Sequence, residues 1–171
     1  MNDIPSEAIL EKNNLLSNMK SIMLSTVDKD NLPNASYAPS VIDDDGNFYI
    51  YISKLSKHTR NLLQKNEVSI MIIEDESHSD NLFARKRFTI KAESINIERD
   101  SDEWIEKIDL MENKFGESIS YLRNLTDFFM FKLTPASGLL VYGFARAFQF
   151  TGSKLDEIVY LNDKGHTKKE K

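Results

Sequence analysis

Nitrogen donors and cations set the chemistry open to this chain. Cysteine is absent from its 171 residues, which excludes disulfides, thiolate metal sites and cysteine nucleophiles. The strong nitrogen donors for a metal are three histidines, His58, His78 and His166. His58 stands in a basic group with Lys54, Lys57 and Arg60, where a strand runs into a helix expected over about residues 58–65. Free N–H groups in the first turn of that helix, beside four such side chains, suit an anion. A solvated basic helix start explains the same residues. Arg85 and Arg87 lie one residue apart in a stretch, 83–97, that alternates like a strand. On one face they would grip a carboxylate or phosphate as a pair, or else meet acids on neighbouring strands. His78 sits in the polar loop 75–81 among acids and serines and reads as a surface residue. His166 follows Gly165 between Lys164 and Lys168. Alone this reads as a fraying basic tail; it is also a sequence able to close over an anionic metal cofactor. Asp43, Asp44 and Asp45 invite a calcium reading, but the ligand spacing and distal glutamate of a calcium loop are missing. With Gly46 they form a solvated hairpin turn.

These residues need a frame, and the hydrophobic pattern supplies one. A helix opens at Pro5–Ser6 and carries Ile9, Leu10, Leu15, Leu16 and Met19 on its apolar side. Strands follow at 21–28, 34–41, 47–53 and 67–74, and then the long stretch 83–97. In the third, Phe48, Ile50 and Ile52 alternate with Tyr49 and Tyr51. A helix over 100–115, capped by Ser101 and ended by Gly116, places Trp104, Ile108, Met111 and Phe115 on one stripe. A short helix follows over 117–125. Residues 127–150 read as an apolar hairpin with strands at 127–133 and 139–150, turned by Pro135, Ser137 and Gly138. Gly143 then falls inside a strand, where it marks a bulge or a close approach. Arg146 falls among Phe144, Phe148 and Phe150, where a guanidinium needs a partner. Six or seven strands joined mostly by hairpins predict an antiparallel barrel with helices packed outside. One domain over 1–160 and a basic tail over 161–171 account for the whole length.

The composition is ordinary for a globular chain, with 40 % hydrophobic and 29 % charged residues. A net charge of −5 argues against a general nucleic-acid binder. No apolar run approaches the roughly 20 residues of a membrane span. The amino-terminal residues lack the pattern of a secretory signal, so a cytoplasmic location is expected.

Four pieces, SKLSKHTRNL, FARKRFTI, DFFMFKL…GLLVYGFARAF and the terminal GH, occur in an order and spacing that resembles the split-barrel family containing pyridoxamine-phosphate oxidase. The likeness is strongest to its haem-utilisation branch, the HugZ-type haem oxygenases and their short HutZ-like members. It runs over nearly the whole chain; longer members carry an additional region that this chain lacks. The resemblance implies a β-rich α+β fold, an antiparallel split β-barrel with peripheral helices, and a homodimer with ligand sites at the subunit interface. In flavin-binding relatives a Ser-Arg-Lys motif at the positions of Ser56, Lys57 and His58 holds the FMN phosphate. A neutral imidazole at the last position is a poorer anchor than an ammonium, which favours the haem branch.

In that branch a histidine near the carboxyl end ligates the haem iron, and His166 matches it. Asp127 matches an aspartate that hydrogen-bonds this histidine, which would fix its tautomer and strengthen it as a donor. Arg87 matches an arginine beside the haem, able to pair with a propionate or steady dioxygen at the iron. His58 matches a further pocket histidine. Lys54, Lys57, Arg60 and the tail lysines are candidate propionate partners. The implied activity is oxidative haem degradation that releases iron, with dioxygen and electrons from a reductase. A haem carrier or storage protein uses the same residues, and an FMN-dependent oxidoreductase is the third alternative.

Overall fold

The computed structural model describes residues 4–144 and 146–161. Helix α1 (Ile4–Asn18) precedes strands β1 (Ser21–Val27), β2 (Pro33–Ile42) and β3 (Phe48–Ser53). Helix α2 (Lys57–Leu62) leads into β4 (Glu67–Ile73) and β5 (Arg87–Ile97). Helices α3 (Asp102–Phe115) and α4 (Glu117–Leu122) then precede β6 (Phe128–Val141), β7 (Ala147–Thr151) and β8 (Glu157–Tyr160). The strands run in the order β3-β2-β1-β4-β5-β6-β7-β8, and a further pairing of β3 with β6 closes the first six into a barrel. Every pairing is antiparallel. The fold is therefore β-rich α+β, a six-stranded antiparallel barrel with peripheral helices and a two-strand extension.

Alternation decides what fills it. Ile22, Leu24, Ile50, Ile70, Phe88, Ile90, Phe131 and Leu133 point inward and are essentially inaccessible to solvent. Each such side chain contributes about 1.5–3 kcal/mol by leaving water. Strand β3 is buried on both faces. Phe48, Ile50 and Ile52 enter the barrel, while Tyr49 and Tyr51 join a second cluster with Trp104, Ile108 and Met111 of α3. The apolar stripe of α3 is thus core, and its start is fixed where the Ser101 side chain accepts the Trp104 N–H at 3.2 Å. Gly116 closes it at φ 67°, a left-handed conformation that glycine adopts without Cβ strain. Lysines bind the helices down. Lys12 donates to the Leu155 carbonyl at 2.7 Å, tying α1 to the turn before β8. Lys114 donates to the carbonyls of Met19 and Ser40 at 2.8 and 3.0 Å.

The late hairpin differs from expectation. Residues 128–141 form one continuous strand, and the turn lies at 142–146. Pro135 and Gly138 are inside β6. The register of β6 against β5 skips one residue there, with Lys91 opposite Ser137 and Ala92 opposite Pro135. A bulge tolerates a proline that cannot donate to the ladder. Pairing with β3 ends at Leu133 and pairing with β7 begins at Gly138, so the skip falls where β6 changes partners. Gly138 permits close packing, since a Cβ on it would lie 2.4 Å from the Phe88 ring. Gly143 belongs to the turn.

The stretch 83–97 also differs. It becomes a strand only at Arg87, because Asn81 accepts the Phe83 N–H at 3.0 Å and winds Leu82–Ala84 into a single 3₁₀ turn. The carboxylate of Asp43 accepts the N–H groups of Asp45 and Asn47 at 3.0 and 2.9 Å, and this shapes the β2–β3 turn.

Candidate functional site

The end of β3 and the start of β6 bring several expected residues together. Ser53 pairs with Phe128 across the two strands, so Asp127 lies beside the β3 terminus. Its carboxylate accepts the Ser53 hydroxyl at 2.9 Å, and its carbonyl accepts the Lys54 N–H at 2.7 Å. The Thr59 hydroxyl, fully buried, donates to the Ser53 carbonyl at 2.6 Å and holds α2 against this junction.

His58 lines a cavity of about 390 Å³ whose walls include Tyr51, Ser53, Ser56, Phe115 and Phe128. Its Nε2 is buried without a hydrogen-bond partner among the described residues. Burial pushes the imidazole below the ordinary histidine value. A neutral ring suits a pocket of aromatic and aliphatic side chains and is a weak phosphate anchor.

The surrounding cations are differently committed. Lys57 pairs with Asp28 at 3.2 Å. The Arg60 guanidinium donates to the carbonyls of Lys54 and Leu55 at 3.2 and 2.6 Å and staples the loop before α2. Lys54 is exposed and makes no ion pair among the described residues.

Arg87 is elsewhere. It pairs with Ile73 on one side and Val141 on the other, at the end of β6 opposite Asp127. At about 3.3 Å per residue, the strand path from Asp127 to Val141, the partner of Arg87, is about 46 Å. One chain therefore does not unite Arg87 with Asp127 and His58. Arg87 faces outward, on the row next to Met71, Thr89 and Leu139. The same rows border a groove of about 850 Å³ between α1 and the sheet, lined by Met23, Met71, Ile73, His78, Arg85 and Lys86.

The expected arginine pair is split. Arg85 precedes the strand and turns its guanidinium to the Glu74 carbonyl at 2.7 Å and to Glu76 at 2.9 Å. The part-buried Arg87 side chain donates to the Arg85 carbonyl at 2.9 Å and meets no carboxylate among the described residues. Arg146, expected among buried phenylalanines, is instead half-exposed; it pairs with Glu7 at 2.6 Å and lies over the Tyr142 ring.

His166 lies outside the described residues. Leu161, the last described residue, lies at the Arg87 end. The Leu161 N–H donates to the Ala147 carbonyl at 3.1 Å, and Ala147 pairs with Val141, the partner of Arg87. The groove was not legible in sequence, because its walls come from α1, β1, β4 and the loop after it. Nor was Ser53 as the partner of Asp127, because strand register leaves no mark on the residues that it aligns.

The pyridoxamine 5'-phosphate oxidase family profile matches residues 11–142. The chain belongs to that family, whose fold is the split barrel described above. Within it, the chain belongs to the HutZ/ChuZ haem-utilisation branch. It is 45 % identical over 149 residues to heme oxygenase HutZ of Vibrio cholerae, a match covering 87 % of this chain and 84 % of that protein. A solved structure of HutZ, described as a heme storage protein of Vibrio cholerae, superposes with a TM-score of 0.73 at 39 % identity, over 85 % of this chain and 96 % of that one. Campylobacter jejuni ChuZ superposes with a TM-score of 0.84 at 28 % identity, over 96 % of this chain and 66 % of the longer ChuZ chain.

Proposed function

We propose that this protein is a cytoplasmic haem oxygenase that binds haem and degrades it oxidatively to release iron. Arg87 is the observation that carries the reading. It is an outward-facing, part-buried guanidinium without a carboxylate among the described residues, at the same end of the sheet as Leu161, the last described residue before His166. A cation left unneutralised beside an apolar sheet face suits a flat apolar dianion. Bound haem, with dioxygen and electrons from a reductase, supplies the redox chemistry. The chain contributes His166 as iron ligand and Arg87 toward a propionate or the ligand side of the ring. Asp127 contributes a carboxylate that accepts the Nδ1 proton of His166 and holds its tautomer.

Because Arg87 and Asp127 occupy opposite ends of β6, the site requires a homodimer in which one copy supplies each. The outward row of Tyr37, Met23, Met71 and Leu139 is the natural face for the second copy. A storage role without turnover is the second reading, favoured by the description of the solved HutZ structure. Flavin chemistry is disfavoured by the neutral His58 at the phosphate-anchor position.

A visible-range titration with haem, run on the parent and on His166→Ala, tests the assignment. A saturable Soret shift in the parent, lost or sharply weakened in the variant, is expected. Equal titrations would exclude His166 as the ligand. Incubating the parent complex with ascorbate under air then separates degradation, read as loss of haem absorbance with iron release, from storage.

A further inference from the structure

Three large apolar side chains stand outside the core at one end of the sheet. Leu82, Phe83 and Phe144 are 62 %, 90 % and 63 % exposed. Leu82 and Phe83 occupy the 3₁₀ turn before β5, and Phe144 lies in the turn between β6 and β7. The register brings the two turns to the same end. Arg87 opposite Val141 is the end of the β5–β6 ladder, so the residues before 87 and those after 141 leave the sheet side by side.

The charges at this end are sorted. Arg85 pairs with Glu76 at 2.9 Å, Lys86 with Glu11 at 2.8 Å and Arg146 with Glu7 at 2.6 Å. Arg87 alone of these four has no carboxylate among the described residues; its Nη1 reaches the Arg85 carbonyl. An unneutralised cation thus stands at the same end of the sheet as an exposed apolar surface.

Residues 162–171, NDKGHTKKEK, carry no large apolar side chain with which to cover phenylalanines. A second copy of the chain would need far more area than three side chains on two turns provide, and the flat outward row through Met23 and Met71 offers more. A porphyrin ring, broad, flat and apolar with two carboxylates at its rim, matches both the aromatic surface and the free guanidinium.

We propose that Leu82, Phe83 and Phe144 form an apolar shelf against which one face of the porphyrin packs, while Arg87 takes a propionate. This end of the sheet then selects the tetrapyrrole by its ring and carboxylates, independently of iron ligation. This inference rests on the haem reading above and adds to it the side chains that hold the ring.

The test uses the full chain with Phe83→Ser, Phe144→Ser and the double substitution. Both side chains are exposed, so folding is retained, which thermal unfolding checks. Each protein is titrated with haem and with metal-free protoporphyrin IX, and its oligomeric state is measured by light scattering. Each single substitution is expected to weaken both ligands about ten-fold, the order expected for uncovering much of one aromatic side chain, with the oligomeric state that of the parent. A double variant that binds both rings as the parent does would overturn the shelf and leave the haem reading standing. A parent that binds haem but not the metal-free ring would overturn iron-independent selection. A parent that binds neither would overturn the haem reading and the shelf together. Loss of the parental oligomer alongside loss of binding would assign the turns to a protein interface instead.

Discussion

His58 shows how much a single side chain depends on its surroundings. Its Nε2 is buried and unpartnered among the described residues, and burial holds its pKa below the ordinary value of 6.5. Well above 6.5 the ring is neutral in folded and unfolded chains alike and contributes no pH dependence. As the pH falls below that value, the unfolded chain takes up the proton first, so the folded state loses stability until the pH passes the lowered folded pKa. The urea midpoint of the parent should therefore drop as the pH falls through about 6.5, and His58→Gln should flatten much of that slope. Asp28 and Asp43 are both held below the ordinary carboxylate value, Asp28 chiefly by the Leu32 N–H and Asp43 against the upward push of burial by hydrogen bonds from Asn47 and Tyr49 and by the Lys107 charge, and they act at lower pH. An unchanged slope in the variant would mean that the imidazole is accessible to protons in the folded protein.

Strand β6 is the element on which the architecture turns. It closes the barrel against β3 through Leu133, skips a residue at Ala136, and carries β7 from Gly138 onward. A methyl group at 138 would stand 2.4 Å from the Phe88 ring, which is itself wholly buried and edge-on to Phe150 at 5.6 Å. The ring has little free space into which to retreat. Gly138→Ala should cost about 1–3 kcal/mol in chemical denaturation, the usual range for overpacking a core. Unchanged stability would show that the Phe88 ring moves aside freely. The same strand sets the separation of the candidate site residues, since Asp127 precedes its first residue and Arg87 pairs with its last.

At the scale of the whole molecule, that separation makes the composite site testable. If each site takes Arg87 from one copy and Asp127 from the other, Arg87→Ala and Asp127→Ala chains are each defective alone. A mixed dimer of the two then regains one intact site, because the unaltered Asp127 and Arg87 meet across it. Co-expression with two different tags isolates that mixed species. Haem turnover near half that of the parent dimer is expected. A site built within one chain would give no recovery, because neither chain would hold both residues. The outward row of Tyr37, Met23, Met71 and Leu139 is the face that such a dimer would cover.

Alternation and capping made most of the elements legible from the residues alone: α3 with Ser101 and Gly116, the doubly apolar β3, and the hairpin turn at Asp43–Gly46. The fold class also came from the chain read in order, and the family likeness put forward His58, Arg87, Asp127 and His166 as candidates. Three things did not. Pro135 and Gly138 look like a turn, yet their strand neighbours convert them to a bulge and a close ring contact. Arg85 and Arg87 look like a pair, yet the carboxylate of Glu76 and the cap at Asn81 separate them. The distance between Arg87 and Asp127 depends on which residue of β5 lies opposite which residue of β6. Periodicity reports which face a side chain takes, because that repeats locally every two or nearly four residues. Register, bulges and the sharing of charges are settled between segments far apart in sequence, and only the packed barrel brings those segments together.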